Sequence, residues 1–153
     1  MSAVRPRFHL AFPVDDLETA RSFYGGVLGC PEGREAPGQW IDFDFHGHQI
    51  VTHFAPDECR AAAKNEVDGH GVPVRHFGLI LEWSAWEALR DRLVAADSSF
   101  ILQPYIRFEG KPGEQATMFV RDPAGNALEF KAFREDRMVF EKELGKATDD
   151  TRV

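Results

Sequence analysis

Phe8-His9-Leu10-Ala11-Phe12 and Arg75-His76-Phe77-Gly78-Leu79 are the two stretches that decide how this chain folds. Each sets a histidine in a strand-like apolar run and leads into a helix-like stretch, so one module is used twice. In a strand, side chains two apart share a face. His9 therefore lies with Ala11 and Pro13, and Leu10, Phe12 and Val14 form the apolar side. In the second copy His76 lies with Gly78, while Phe77, Leu79 and Leu81 point the other way. A small residue beside each imidazole leaves space in front of it, as a ligand reaching toward an ion requires.

Working outward from the first copy, Asp15-Asp16-Leu17-Glu18 starts a helix, because an aspartate can cap free amides and acidic residues suit the positive end of the dipole. Leu17, Ala20, Phe23, Tyr24, Val27 and Leu28 carry it at helical spacing to Gly29, a left-handed stop. Turn residues occupy 31–38. The alternation of 40–45 predicts a half-buried strand, and His46-Gly47-His48 turns the chain into another over 49–54. In the second copy Ser84 is the expected cap of a helix lined by Trp86, Leu89, Leu93 and Val94. Strands follow over 100–106, 117–120 and 127–133, with a polar loop over 108–115 and a turn at Asp122-Pro123-Ala124-Gly125-Asn126.

The fold class is thus α+β, two βαβββ modules in tandem forming one domain. The first module spans 1–56 and the second 74–133. Residues 57–73 are read as an irregular connection with a helical turn near 59–64. The tail, 134–153, has a short apolar pattern in Met138, Val139, Phe140 and Leu144 and is expected to be partly helical, then disordered from Lys146.

With 153 residues, 43% hydrophobic, the chain has enough apolar material for a well-buried interior. A formal charge of −7 argues against a nucleic-acid partner, whose affinity would come from clustered Lys and Arg. Two cysteines are too few for a disulfide framework, and a reducing cytoplasm is the expected compartment. Neither a signal-like apolar leader nor a membrane-length segment is present, so no membrane partner is expected.

The chain resembles the vicinal oxygen chelate superfamily, which includes glyoxalase I, extradiol dioxygenases, and the fosfomycin and bleomycin resistance proteins. His9, His76 and the run Asp122-Pro123-Ala124-Gly125-Asn126-Ala127-Leu128-Glu129-Phe130 carry the likeness, which covers about residues 7–133. It implies a cupped mixed β-sheet, with a divalent metal held by the first and last strands of each module. His9, His76 and Glu129 match three of the family's four ligand positions. Aligning Thr52-His53-Phe54 with Leu128-Glu129-Phe130 assigns His53 to the fourth, where many glyoxalases carry glutamate. The resemblance also implies a homodimer.

Two imidazoles and a carboxylate suit ferrous iron with open positions for substrate and dioxygen, and nickel, zinc or manganese fit the same donors. With His53 added, an octahedral ion still has room for two substrate oxygens. Arg107 is a candidate partner for an anionic substrate oxygen, with Gln49 and Gln115 as further substrate contacts. Glu129, Glu114 and Tyr105 are the candidate catalytic groups, the last two for moving protons. His46, His48 and His70 read as turn or surface histidines, and Trp40, Trp83 and Trp86 as core or interface aromatics. The expected function is a metal-dependent enzyme acting on a small oxygenated molecule, extradiol-dioxygenase-like in first place. A glyoxalase-like lyase or isomerase and a non-catalytic drug-binding resistance protein are the alternatives.

Overall fold

A computed structural model describes residues 5–60 and 63–143. Contacts divide the chain into two units, one of residues up to 62 with Arg121–Asn126, the other of the remainder. The first unit runs β1 (His9–Val14), α1 (Leu17–Ala20) continuing as a π-helical turn over Arg21–Val27, β2 (Glu32–Ala36), β3 (Trp40–Phe45) and β4 (His48–Phe54). The second opens with a hairpin, β5 (Lys64–Val67) and β6 (His70–Pro73). It continues through β7 (Phe77–Leu81), α2 (Trp83–Ala95), β8 (Phe100–Arg107), β9 (Gln115–Arg121) and β10 (Ala127–Phe133). The sheet orders, β1-β4-β3-β2 and β7-β10-β9-β8, are the same topology written twice. In each, the first and last strands are parallel neighbours, a pairing that needs a crossover connection, here including the helix.

Alternation gives each sheet an apolar and a polar face. In the first unit Phe12, Val14, Ile41, Phe43, Phe45 and Ile50 are buried. The fully buried Tyr24 ring sits 5.0–5.6 Å from those of Phe12, Phe23 and Phe43. Asp16 caps α1 as expected, its carboxylate accepting the Thr19 N–H at 2.7 Å, and Gly29 takes the left-handed stop at φ 71°. The regular helix expected to Leu28 instead widens after Ala20, with Leu28 N–H bonding the Phe23 carbonyl. Gly25 and Gly26, poor helix formers, lie in this wider turn, which buries the adjacent Phe23 and Tyr24 together.

The Asp122-to-Asn126 turn is packed as part of the first unit. The Asp122 carboxylate accepts from the buried Tyr24 hydroxyl at 2.8 Å, from the Asn126 N–H at 2.7 Å and from the Asn126 side-chain amide at 2.9 Å. That amide also donates to the Pro13 carbonyl at the end of β1. Burial pushes the Asp122 carboxyl above the usual range, while the Asn126 and Tyr24 bonds pull it back.

In the second unit Trp86, Leu89 and Leu93 of α2 are buried, and the Trp86 indole donates to the Phe130 carbonyl at 2.8 Å. The helix starts at Trp83 after Glu82, which places Ser84 inside the first turn and not at the cap. The irregular connection expected over 57–73 is also corrected. It holds a 3-10 turn at Pro56–Glu58 and the β5–β6 hairpin, turned by Asp68 and Gly69 at φ 50° and 78°, the two left-handed residues of a tight hairpin turn. β9 starts at Gln115, two residues before the expected strand. No helix among the described residues is long and apolar enough to cross a membrane. Of the tail, Asp136–Met138 forms a 3-10 turn and Met138 is buried, while Leu144 and the expected disorder from Lys146 lie outside the described residues.

Candidate metal centre

On β10 the buried Leu128, Phe130 and Ala132 alternate with Glu129 and Lys131. Glu129 pairs with Gly78 across the parallel β7–β10 ladder, close to His76 at the entry to β7. The strands approach so closely that a Cβ on Gly78 would overlap the Glu129 backbone carbonyl, so only glycine fits. His76 Nε2 and Glu129 Oε2 are 3.2 Å apart. The other carboxylate oxygen accepts from the Thr117 hydroxyl at 2.9 Å, with the Lys131 ammonium 3.9 Å away.

The histidine's tautomer follows from its other nitrogen. Nδ1 lies 2.7 Å from the Pro73 carbonyl, which can only accept, so Nδ1 carries the proton. With Nδ1 protonated, His76 faces the carboxylate oxygen through Nε2, either as an imidazolium N–H or as a lone pair. Two acceptors cannot bond each other, and the pair requires a positive centre between or beside them, an imidazolium proton or a cation. A ring nitrogen anchored on a backbone carbonyl with its opposite lone pair free is also the arrangement that orients metal-bound histidines. The residues present fit a divalent ion.

His9 is prepared in the same way within its own unit. The Gln49 side-chain amide donates to Asp42 Oδ2 at 3.0 Å, which turns its carbonyl oxygen toward His9 Nδ1 at 2.8 Å. A carbonyl again calls for a protonated Nδ1, leaving the exposed Nε2 with its lone pair. Asp42 is buried and is itself held by the Arg34 backbone N–H. Gln49 is thus committed to His9 and Asp42.

The pairing registers show which residues occupy matching positions. Glu129 lies opposite Gly78, two residues beyond His76; opposite Ala11, two beyond His9, lies Val51. The strands place the buried Val51 at the position matching Glu129, whereas the alignment of His53 with Glu129 is two residues out of step. His53 is exposed near the end of β4, across from Pro13 and Trp40. Among the described residues of either unit, no group of three or more His, Cys, Asp or Glu side chains is gathered as for a metal ion.

The remaining candidates sit on and beside β8 and β9. Arg107 directs Nη2 to Asp68 Oδ1 at 3.1 Å and Nη1 toward the Gln115 carbonyl oxygen at 3.5 Å, and its buried Nε faces Asp68 Oδ2 as an ion pair. The Tyr105 hydroxyl donates to Asp68 at 3.1 Å, and burial together with Asp68 raises the phenol above its ordinary range. Gln115 is almost fully buried. Glu114 spends both oxygens on the protein, accepting from the Gly110 N–H at 3.0 Å and the Arg134 guanidinium at 2.8 Å. Those two bonds hold its carboxyl below the usual range, so it stays anionic and ties the β8–β9 loop to the chain after β10. Sequence reasoning did not single out Asp68, Asp42 or Thr117 as site residues. The Asp68-Gly69 turn signal was visible, but the partners of all three depend on pairing between strands.

Two modules of this topology, each opening on a histidine strand and closing on a strand parallel to it, define the class. The family model for the Glyoxalase/Bleomycin resistance protein/Dioxygenase superfamily matches residues 8–130. The chain belongs to that superfamily. Among solved structures, a glyoxalase/bleomycin resistance protein/dioxygenase from Alicyclobacillus acidocaldarius is 35% identical with a TM-score of 0.73, the match covering 92% of this chain and 100% of that one. A lactoylglutathione lyase from Agrobacterium tumefaciens is 23% identical (TM-score 0.60, covering 86% and 96%). A fosfomycin resistance protein from Listeria monocytogenes is 14% identical (TM-score 0.64, covering 84% and 93%). The last two likenesses are of fold alone. No curated protein matches the sequence.

Proposed function

We propose that this chain is a metal-dependent enzyme acting on a small molecule with two adjacent oxygens, by an extradiol-dioxygenase-like oxidation. His76 and Glu129 are two of the metal ligands, and His9 is proposed as the third on the family resemblance alone. The observation that carries the reading is the pair of histidines whose Nδ1 atoms face carbonyl oxygens, which turns each Nε2 outward as a candidate ligand, that of His76 against a carboxylate. When bound, a divalent ion in a two-histidine, one-carboxylate set supplies open positions for substrate and dioxygen. Val51 at the position matching Glu129 favours this three-ligand set over a glyoxalase-like reaction, for which the family resemblance expects a glutamate there.

The chain's own residues then divide the work. Thr117 and Lys131 fix the Glu129 carboxylate, Pro73 and Gln49 orient the two imidazoles, and Arg107 with Tyr105 provides the polar end for the substrate. We further propose a homodimer in the cytoplasm, after the family's habit.

Elemental analysis of protein purified without chelator or nickel resin tests the reading. The expected result is about one divalent ion per chain, lost in His76→Ala and Glu129→Ala, with oxygen uptake on added catechol by the iron-loaded protein. Folded wild type that neither contains metal nor takes up added iron, zinc or nickel would overturn it. Metal binding without oxygen uptake on any catechol tested would remove the dioxygenase assignment.

A further inference from the structure

We infer that Arg107 and Tyr105, supported by Gln115, form a binding site for a carboxylate-bearing substrate, and that Asp68 at the tip of the β5–β6 hairpin fills it when no substrate is present. The inference rests on the reading of the chain as a small-molecule enzyme and names the class of that molecule. Three facts carry it.

The first is the donor set. Arg107 turns one edge of its guanidinium to both Asp68 oxygens, Nη2 to Oδ1 and Nε to Oδ2, and the Tyr105 hydroxyl adds a third donor at 3.1 Å. A planar fork with a phenol beside it is specific chemistry for a carboxylate, since the guanidinium matches both oxygens at once. Asp68 shows that a carboxylate fits.

The second is the site's position. Tyr105 pairs with Thr117, and Arg107 with Gln115, across the β8–β9 ladder. Thr117 is the residue that bonds Glu129. The carboxylate site on β8 and the Glu129 carboxylate on β10 therefore lie two strands apart in one sheet, with Thr117 of the intervening β9 between them.

The third is the weak hold on the occupant. Residues 64–71 of the hairpin are all exposed, with burial beginning only at Val72. Beside Asp68, the His70 ring of the hairpin lies 5.7 Å from that of Tyr105. Arg107 Nε, though buried, lacks a properly aligned hydrogen bond, so the internal carboxylate is an imperfect partner. An incoming carboxylate takes over the same three donors, and the hairpin is then freed from β8.

Benzoate is the probe, followed by heteronuclear NMR on the full chain, with hydrogen exchange read over residues 64–73. Benzoate should shift Tyr105 and Arg107 signals and speed exchange in the hairpin. Asp68→Asn, which keeps a residue suited to the left-handed turn but removes the competing charge, should bind about tenfold tighter or more, the worth of a charge-assisted bond. Arg107→Gln should abolish binding in a folded protein. If Asp68→Asn binds no tighter than wild type, or Arg107→Gln still binds, the inference is overturned. Zinc uptake in the same samples separates the two readings: failure to bind zinc with the benzoate pattern intact defeats the metal centre alone, and the reverse defeats the carboxylate site alone.

Discussion

Tyr24→Phe removes one oxygen and leaves the ring contacts with Phe12, Phe23 and Phe43 in place, so it isolates the bond to Asp122. Tyr24 is fully buried and Asp122 is 4% exposed, so bulk water does not reach the carboxylate to replace the lost donor. A hydrogen bond to a charged group is worth about 1.5–3 kcal/mol. Asp122 keeps the two Asn126 donors, so the variant should fall in the middle of that range, about 2 kcal/mol. For a chain of this length that lowers Tm by about 4–8 °C.

The pH dependence gives a sharper test. Burial holds the folded carboxyl of Asp122 above its unfolded value, so its contribution to stability is fully present below the unfolded value and lost as pH rises through the folded one. Tyr24 is one of the groups drawing that value down, and removing it drives the carboxyl higher. The gap between wild type and variant should therefore be small in acid and widen toward neutral pH. Calorimetric melts across that range measure it. A Tm change under about 1 °C, or a gap that does not vary with pH, would refute the assignment of Asp122 as an ionised hub bonded by Tyr24.

Gly78→Ala should destabilise the fold by about 3 kcal/mol and weaken metal uptake, because the added methyl displaces the Glu129 backbone; urea unfolding and zinc titration measure the two effects, and unchanged values would contradict the close β7–β10 approach. Although burial alone would raise the Asp68 carboxyl, its bonds from Arg107 and Tyr105 hold it below the usual range. The hairpin latch is therefore fully present above the unfolded value and lost only as pH falls through the lower folded one. A carbon-detected NMR titration should place Asp68 below an ordinary aspartate, and a titration at or above that value would count against the latch.

The repeat was legible because a strand's alternation is local: His9 and His76 each stand out against an apolar face, partly buried through Phe12 and Val14 on β1 and half-buried through Phe77, Leu79 and Leu81 on β7. The Asp122-to-Asn126 turn was equally legible, but its bonds to Tyr24 and Pro13 depend on packing that no spacing rule expresses. His53 shows the limit most clearly. Matching it to Glu129 by neighbouring residues ignored the parallel registers, where a shift of two residues keeps the face and changes the partner. The β5–β6 hairpin escaped because Lys64–Val67 and His70–Pro73 are exposed along most of their length and carry little apolar alternation to signal a strand.

β10 lies between β7 and β9 in space although it is the last strand in sequence. The slot it fills must stay open until the end of synthesis of the second module, with β7 lacking its only partner in that sheet. During translation His76 leaves the ribosome long before Glu129, so the two donors proposed for the ion come together only at the step that closes the sheet. On the proposed reading, metal supplied early to a growing chain would meet one ligand of the pair and metal supplied after release would meet both, so its uptake would report on completion of the fold.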